Sequence, residues 1–73
     1  MEMPKLNPSL KPQEVQILKT LLEHDYHMNT TQVAKITGIS WNTADKYLKN
    51  FYNIGWIERV ERGNRDYWRA YRK

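Results

Sequence analysis

Between Thr30 and Tyr71 the chain reads TTQVAKITGISWNTADKYLKNFYNIGWIERVERGNRDYWRAY, and no other stretch limits its folding as tightly. Two short runs carry apolar residues at helical spacing on either side of Gly38. A third run, rich in aromatic and β-branched residues, is turned back on itself at Arg62-Gly63-Asn64-Arg65. Gly38 sits where a helix needs a left-handed residue to stop, and Gly63 and Asn64 both tolerate positive φ in a hairpin tip. The pattern predicts two helices around a tight turn, followed by a β-hairpin whose tip is basic.

The remaining elements follow from the same periodicities. Pro12 suits a first helical position, Glu14 favours the positive end of the helix dipole, and Val15, Ile17, Leu18, Leu21 and Leu22 recur at helical spacing. A first helix is therefore expected from about Pro12 to His24, then a connection with room for a short strand near Met28. Thr30 or Thr31 can cap the second helix through its hydroxyl, with Val33, Ala34 and Ile36 as its buried stripe. Ser40 caps the third, which runs to about Asn53 and is closed by Gly55. Ala44, Tyr47, Leu48 and Phe51 line one face of that helix, and Asn42, Lys46, Lys49 and Asn53 the opposite one. Trp56–Glu61 and Asp66–Arg72 form the hairpin strands, with Trp68 and Ala70 pointing inward. Residues 1–11, with two prolines and no apolar period, read as an extended or disordered arm. The fold class is α+β: three helices and a two-stranded hairpin in one domain over residues 12–73.

Charge is unevenly shared along the chain. The formal net charge is +4, and residues 39–73 hold all of the excess, with Lys46, Lys49, Arg59, Arg62, Arg65, Arg69, Arg72 and Lys73 against Asp45, Glu58, Glu61 and Asp66. A basic half that coincides with the third helix and the hairpin suggests a nucleic-acid face, although a solvated surface that aids solubility would look the same. Seventy-three residues make one small core, worth only about 3–5 kcal/mol, so tight aromatic packing or dimerisation is expected to help. Cysteine is absent, which excludes disulfides and thiolate metal sites. No apolar run nears the roughly 18–20 residues of a membrane span, and no signal peptide is evident, so a soluble, cytoplasmic protein is expected.

A close crossing of two short helices needs small residues at the contact, a sharp turn between them and an apolar plug behind it. Ala34, Gly38, Ile39 and Ala44 supply these at spacings of four, one and five. Together with Thr43, Tyr47-Leu48, Phe51, Gly55, Ile57 and the basic tip before Tyr67-Trp68, they resemble the winged helix-turn-helix DNA-binding superfamily, over nearly everything after Pro12. Within it the chain is most similar to small single-domain regulators of archaea, their viruses and plasmids, whose reading helices often begin with a run like Ser40-Trp41-Asn42-Thr43-Ala44.

The resemblance implies a sequence-specific double-stranded DNA-binding protein, a transcription regulator whose third helix (about 40–53) enters the major groove while the wing (61–66) meets backbone or minor groove. The residue chemistry agrees. Asn42 suits a bidentate contact with adenine, and Lys46 one with guanine or with phosphate. Ser40, Thr43 and Asn50 can donate to phosphate oxygens, and Lys49 is oriented toward the backbone. Arg62 and Arg65 flank the wing tip beside Asn64, placed to straddle a narrow groove. Trp41 lies near the core edge of the helix, where packing on the second helix or the wing competes with contact to a sugar or thymine methyl. Asp45 breaks the cationic pattern, and either pairs with Lys49 one turn on or accepts from cytosine. A module of this size buries only about 600–1,000 Å² on DNA, which favours a homodimer; helix 1 and the N-terminal arm are the surfaces available for it.

Other chemistries find less support. Trp56, Tyr67, Trp68 and Tyr71 among arginines could stack single-stranded bases, but a small domain needs those rings for its core. His24, Asp25 and His27 lack a fourth zinc ligand, and a histidine at a helix end near the negative dipole is the simpler reading. No catalytic triad, phosphate loop or carboxylate pair is present, so neither an enzyme, a cofactor nor a small-molecule substrate is expected. The competing functions are a winged-helix docking module for proteins and a DNA-binding replication or segregation factor.

Overall fold

Pro12 opens helix α1 (Pro12–Glu23), and Glu14 Oε1 accepts from the Lys11 backbone N–H at 2.9 Å. The structure, a computed structural model, describes residues 11–71; most of the expected arm, together with Arg72 and Lys73, lies outside them. Only part of α1's apolar set faces inward. Ile17, Leu18 and Leu21 are buried with Thr20, whereas Val15 and Leu22 remain 40% and 44% exposed. The helix ends at Glu23, where His24 Nδ1 lies 2.7 Å from the Thr20 carbonyl oxygen, the dipole-end role expected of it.

Strand β1 (Met28–Asn29) leads directly into helix α2 (Thr30–Thr37). The cap is Asn29, not Thr30 or Thr31. Asn29 Oδ1 accepts from the Gln32 N–H at 2.8 Å, and Gln32 Oε1 accepts from the Asn29 N–H at 3.0 Å, a reciprocal capping box. Thr30 is diverted from capping because its Oγ1 accepts from Trp68 Nε1 at 3.0 Å in the core. The buried stripe also differs from expectation. Thr30, Val33 and Thr37 face inward at spacings of three and four, and Ile36 is 51% exposed. Thr37 is accommodated because its hydroxyl donates to the Val33 carbonyl at 2.7 Å, which meets its polar requirement within the helix. Gln16 Nε2 donates to the Thr37 carbonyl, tying α1 to the end of α2.

Gly38 adopts φ 72°, as the turn requires, and its N–H returns to the Ala34 carbonyl at 2.9 Å. Ile39 is buried behind it, and Ser40 caps helix α3 (Trp41–Asn53) by accepting from the Thr43 N–H. Ala44, Tyr47, Leu48 and Phe51 form the buried face, as their spacing predicts. Gly55 closes α3 one place beyond the capping residue Ile54. At φ 84° it sends its N–H to the Tyr52 carbonyl, while Trp56 sends its own to Phe51. This is a Schellman motif, and the hydrophobic contact that accompanies such motifs is the Trp56 ring stacked on Phe51 at 5.6 Å.

The hairpin consists of β2 (Ile57–Arg62) and β3 (Arg65–Ala70), antiparallel and joined by Gly63-Asn64. Gly63 alone of that pair has positive φ, at 58°, the pattern of a type II′ turn. The β1 strand pairs with β3 in the register Met28↔Trp68 and Asn29↔Tyr67, so the sheet has three strands in the order β1-β3-β2. Ile57, Trp68 and Ala70 close the core against the helices. That burial uses Trp68 completely and holds Trp56 on Phe51, so two of the four rings that could stack bases are committed to the core.

Candidate nucleic-acid interface

Helix α3 divides into four longitudinal strips. Its apolar strip is fixed in the core, and the opposite strip, with Asn42, Lys46, Lys49 and Asn53, faces solvent. Trp41 and Asp45 lie on the flank toward the wing, and Thr43 and Asn50 turn toward the other side. The polar face thus stands clear of the core because the apolar one anchors it.

Facing that flank across an open cleft of about 310 Å³ is the wing tip. Asn64, Arg65 and Asp66 form one wall, Trp41, Asp45 and Lys49 the other, and Asn29, Thr30 and Thr31 at the start of α2 close one end. Trp41 is 50% exposed here, so it borders the cleft as a half-open ring.

The cations of this half separate into held and unheld groups. Lys49 Nζ lies 2.9 Å from Asp45 Oδ2, the pairing expected from their spacing. Arg59 places Nε and Nη2 each 3.0 Å from Asp66 Oδ1, and its guanidinium lies over the Tyr52 and Trp68 rings at 5.8 and 6.0 Å. The hydrogen bond and charge of Asp66 raise the Arg59 pKa above its ordinary value. Arg69 Nε is 3.3 Å from Glu58 Oε1 without hydrogen-bond geometry, so their attraction is Coulombic. Among the described residues no carboxylate pairs with Lys46, Arg62 or Arg65. Among the described cations of this half, these three are the ones left to meet an external anion.

Several expected site residues are partly committed elsewhere. Ser40 Oγ donates to Thr43 Oγ1 at 2.9 Å as well as capping the helix, so the hydroxyl proton still on offer at this helix start belongs to Thr43. Arg62 and Arg65 are cross-strand partners, side by side on one face of the ribbon, and not cations on two flanks of it. His27 Nε2 meets Glu58 Oε1 at 2.9 Å, and among the described residues no cluster of three or more His, Asp or Glu side chains could hold a metal ion. No helix among them is long and apolar enough to cross a membrane. Sequence reasoning missed Thr31 and Asn29 in the cleft and the clasp of Arg59 by Asp66. The clasp had a signal: a two-residue tip sets Arg59 opposite Trp68, which puts Asp66 one diagonal step away on the same face.

Three helices, a glycine turn, a solvent-facing third helix and a three-stranded sheet ending in a basic tip define a winged helix-turn-helix of the DNA-binding class. Residues 7–72 match the family described as sugar-specific transcriptional regulator TrmB, and the chain belongs to that family. No curated protein matches it. Among solved structures, it is similar to the homodimeric winged helix-turn-helix DNA-binding domain of a possible ArsR-family transcriptional regulator from Mycobacterium bovis, at 27% identity and TM-score 0.70, over 82% of this chain and 54% of that one. It is also similar to a possible transcriptional regulatory protein fragment from the same organism, at 27% identity and TM-score 0.72, over 82% of this chain and 62% of that one. The PcaV transcriptional regulator of Streptomyces coelicolor shares the fold, at 18% identity and TM-score 0.74, over 89% of this chain and 47% of that one. The chain therefore spans 54% and 62% of the length of the two Mycobacterium bovis structures.

Proposed function

We propose that this domain binds a specific double-stranded DNA sequence to regulate transcription, with α3 in the major groove and the wing on the flanking backbone or minor groove. The observation that carries this reading is the exposed polar strip of α3 beside three unpaired cations, Lys46, Arg62 and Arg65. A major groove admits one α-helix, and residues near the start of that helix reach base edges. Asn42, in the first turn and exposed, is assigned to base reading, as is Lys46 one turn further on. Thr43, Asn50, Asn64 and the two wing arginines are assigned to phosphate. Ser40 holds the helix start in place, and Trp41 and Lys49 border the strand that passes the cleft.

The domain is proposed to act as a homodimer on two half-sites. Val15 and Leu22, exposed and seven residues apart on one side of α1, offer an apolar surface for a second copy, and the similar Mycobacterium bovis domain is homodimeric. Such a regulator works in the compartment that holds the genome, the cytoplasm of a prokaryotic cell.

The test is an anisotropy titration with random-sequence duplex at two salt concentrations, followed by selection of bound sites from a random library. Affinity that falls steeply with salt, and a palindromic selected site, are the expected results. No binding at low salt would reject the DNA reading and favour a docking module. A selected site without two-fold symmetry would reject the dimer.

A further inference from the structure

Arg62 ends β2, Arg65 begins β3, and the two are direct cross-strand partners across a two-residue tip. Partners of that kind leave a pleated ribbon from the same face, so the two arginine side chains start side by side. Like charges in this position weaken a hairpin. The carboxylates next to them in sequence give no relief. Glu61 and Asp66 are partners one place further from the tip and leave from the other face. There Asp66 is held by Arg59, and Glu61 acts on Arg59 as well. No ion pair among the described residues reaches either arginine of the tip, although Lys49, Arg59 and Arg69 each have one.

We infer that Arg62 and Arg65 form a two-armed seat for a single phosphate group, the phosphodiester of one DNA strand beside the wing. A guanidinium presents parallel N–H groups that match two phosphate oxygens, and an anion between two of them turns their repulsion into shared attraction. The tight tip suits this role because it keeps the pair from splaying. The inference rests on the duplex-binding reading and deepens it. That reading needs cations on the wing, whereas this one makes the two act as one site.

The experiment measures the salt dependence of duplex binding for the unaltered protein, Arg62→Gln, Arg65→Gln and the double variant. One neutralised phosphate contributes about 0.9 to the slope of log affinity against log salt. The double variant is expected to lose about one unit of slope, and to bind little worse than either single variant. A loss of about two units, with the double's fold-loss equal to the product of the singles', would mean two separate phosphates and overturn the inference. Unchanged slopes in all three variants would remove the pair from DNA and overturn it too. A second measurement needs no DNA. Inorganic phosphate should raise the melting temperature of the unaltered protein by about 2 °C and leave the double variant's unmoved. Equal shifts in both would overturn the seat. If the protein bound no duplex yet showed the selective phosphate shift, the duplex reading would fall and the phosphate seat would stand.

Discussion

Asp45 Oδ2 holds the ammonium of Lys49 at 2.9 Å, one turn along α3 on the flank that borders the cleft. As a contribution to helix stability the pair is small, about 0.3–0.5 kcal/mol. On the proposed reading, a phosphate of the strand passing the cleft competes with Asp45 for Lys49.

Asp45→Asn is therefore expected to strengthen binding to duplexes of any sequence and to steepen the salt slope by about one unit. Titrations with cognate and random duplex at several salt concentrations read both quantities. If the variant instead lost its preference at one base pair, Asp45 would be reading cytosine, and the competition with Lys49 would be secondary.

Arg59 counts toward the basic half of the sequence, and the structure clasps it to Asp66 over Tyr52 and Trp68. Arg59→Gln should lower duplex affinity by loosening the wing against α3, and leave the salt slope unchanged. A slope lower by about one unit would mean that Arg59 meets a phosphate itself.

Asn42→Ala should cost about 1–3 kcal/mol on the selected site and much less on random duplex, because a bidentate base contact carries sequence preference. Competition binding between the two duplexes measures the difference. An unchanged preference would remove Asn42 from base reading.

Phe51 is buried in the core, holds the Trp56 ring and belongs to the motif that ends α3. Phe51→Ala is expected to cost about 3–5 kcal/mol, which is the whole stability of so small a domain. Loss of the cooperative thermal transition by circular dichroism, with Trp56 fluorescence shifted toward that of a solvated indole, checks it.

How far the sequence can be read depends on the range of the interaction involved. Gly38, Ser40, Gly55 and the face of α3 built on Ala44, Leu48 and Phe51 are local matters of backbone conformation and period, and they stand where the residues put them. The hydroxyl of Thr30 suits a cap on local grounds but is claimed by Trp68, thirty-eight residues away, and Asn29 is the cap instead. Hydrophobicity favours Ile36 for the inward place, whereas helix geometry gives it to Thr37, which carries its own hydrogen bond. In the candidate site the polar strip of α3 was legible for the same local reason. The clasp of Arg59 and the side-by-side placement of Arg62 and Arg65 follow from the register of the two-residue tip, a signal present in the hairpin segment, whereas the cleft depends on packing between elements, which no single segment encodes.

Asn29 completes β1 and caps α2, so a single residue joins the sheet to the helix pair with no spacer between them. Its backbone is opposite Tyr67 on β3 while its side chain fixes the first turn of α2. Together with the Gly55 turn that carries α3 straight into β2, this joint sets the opening between wing and α3, like the gape of a caliper held at its hinge. Lengthening the hairpin would extend the reach of the tip and leave that gape alone. A wider opening would need a change at one of these two joints, by a residue inserted between β1 and α2 or in the turn that ends α3.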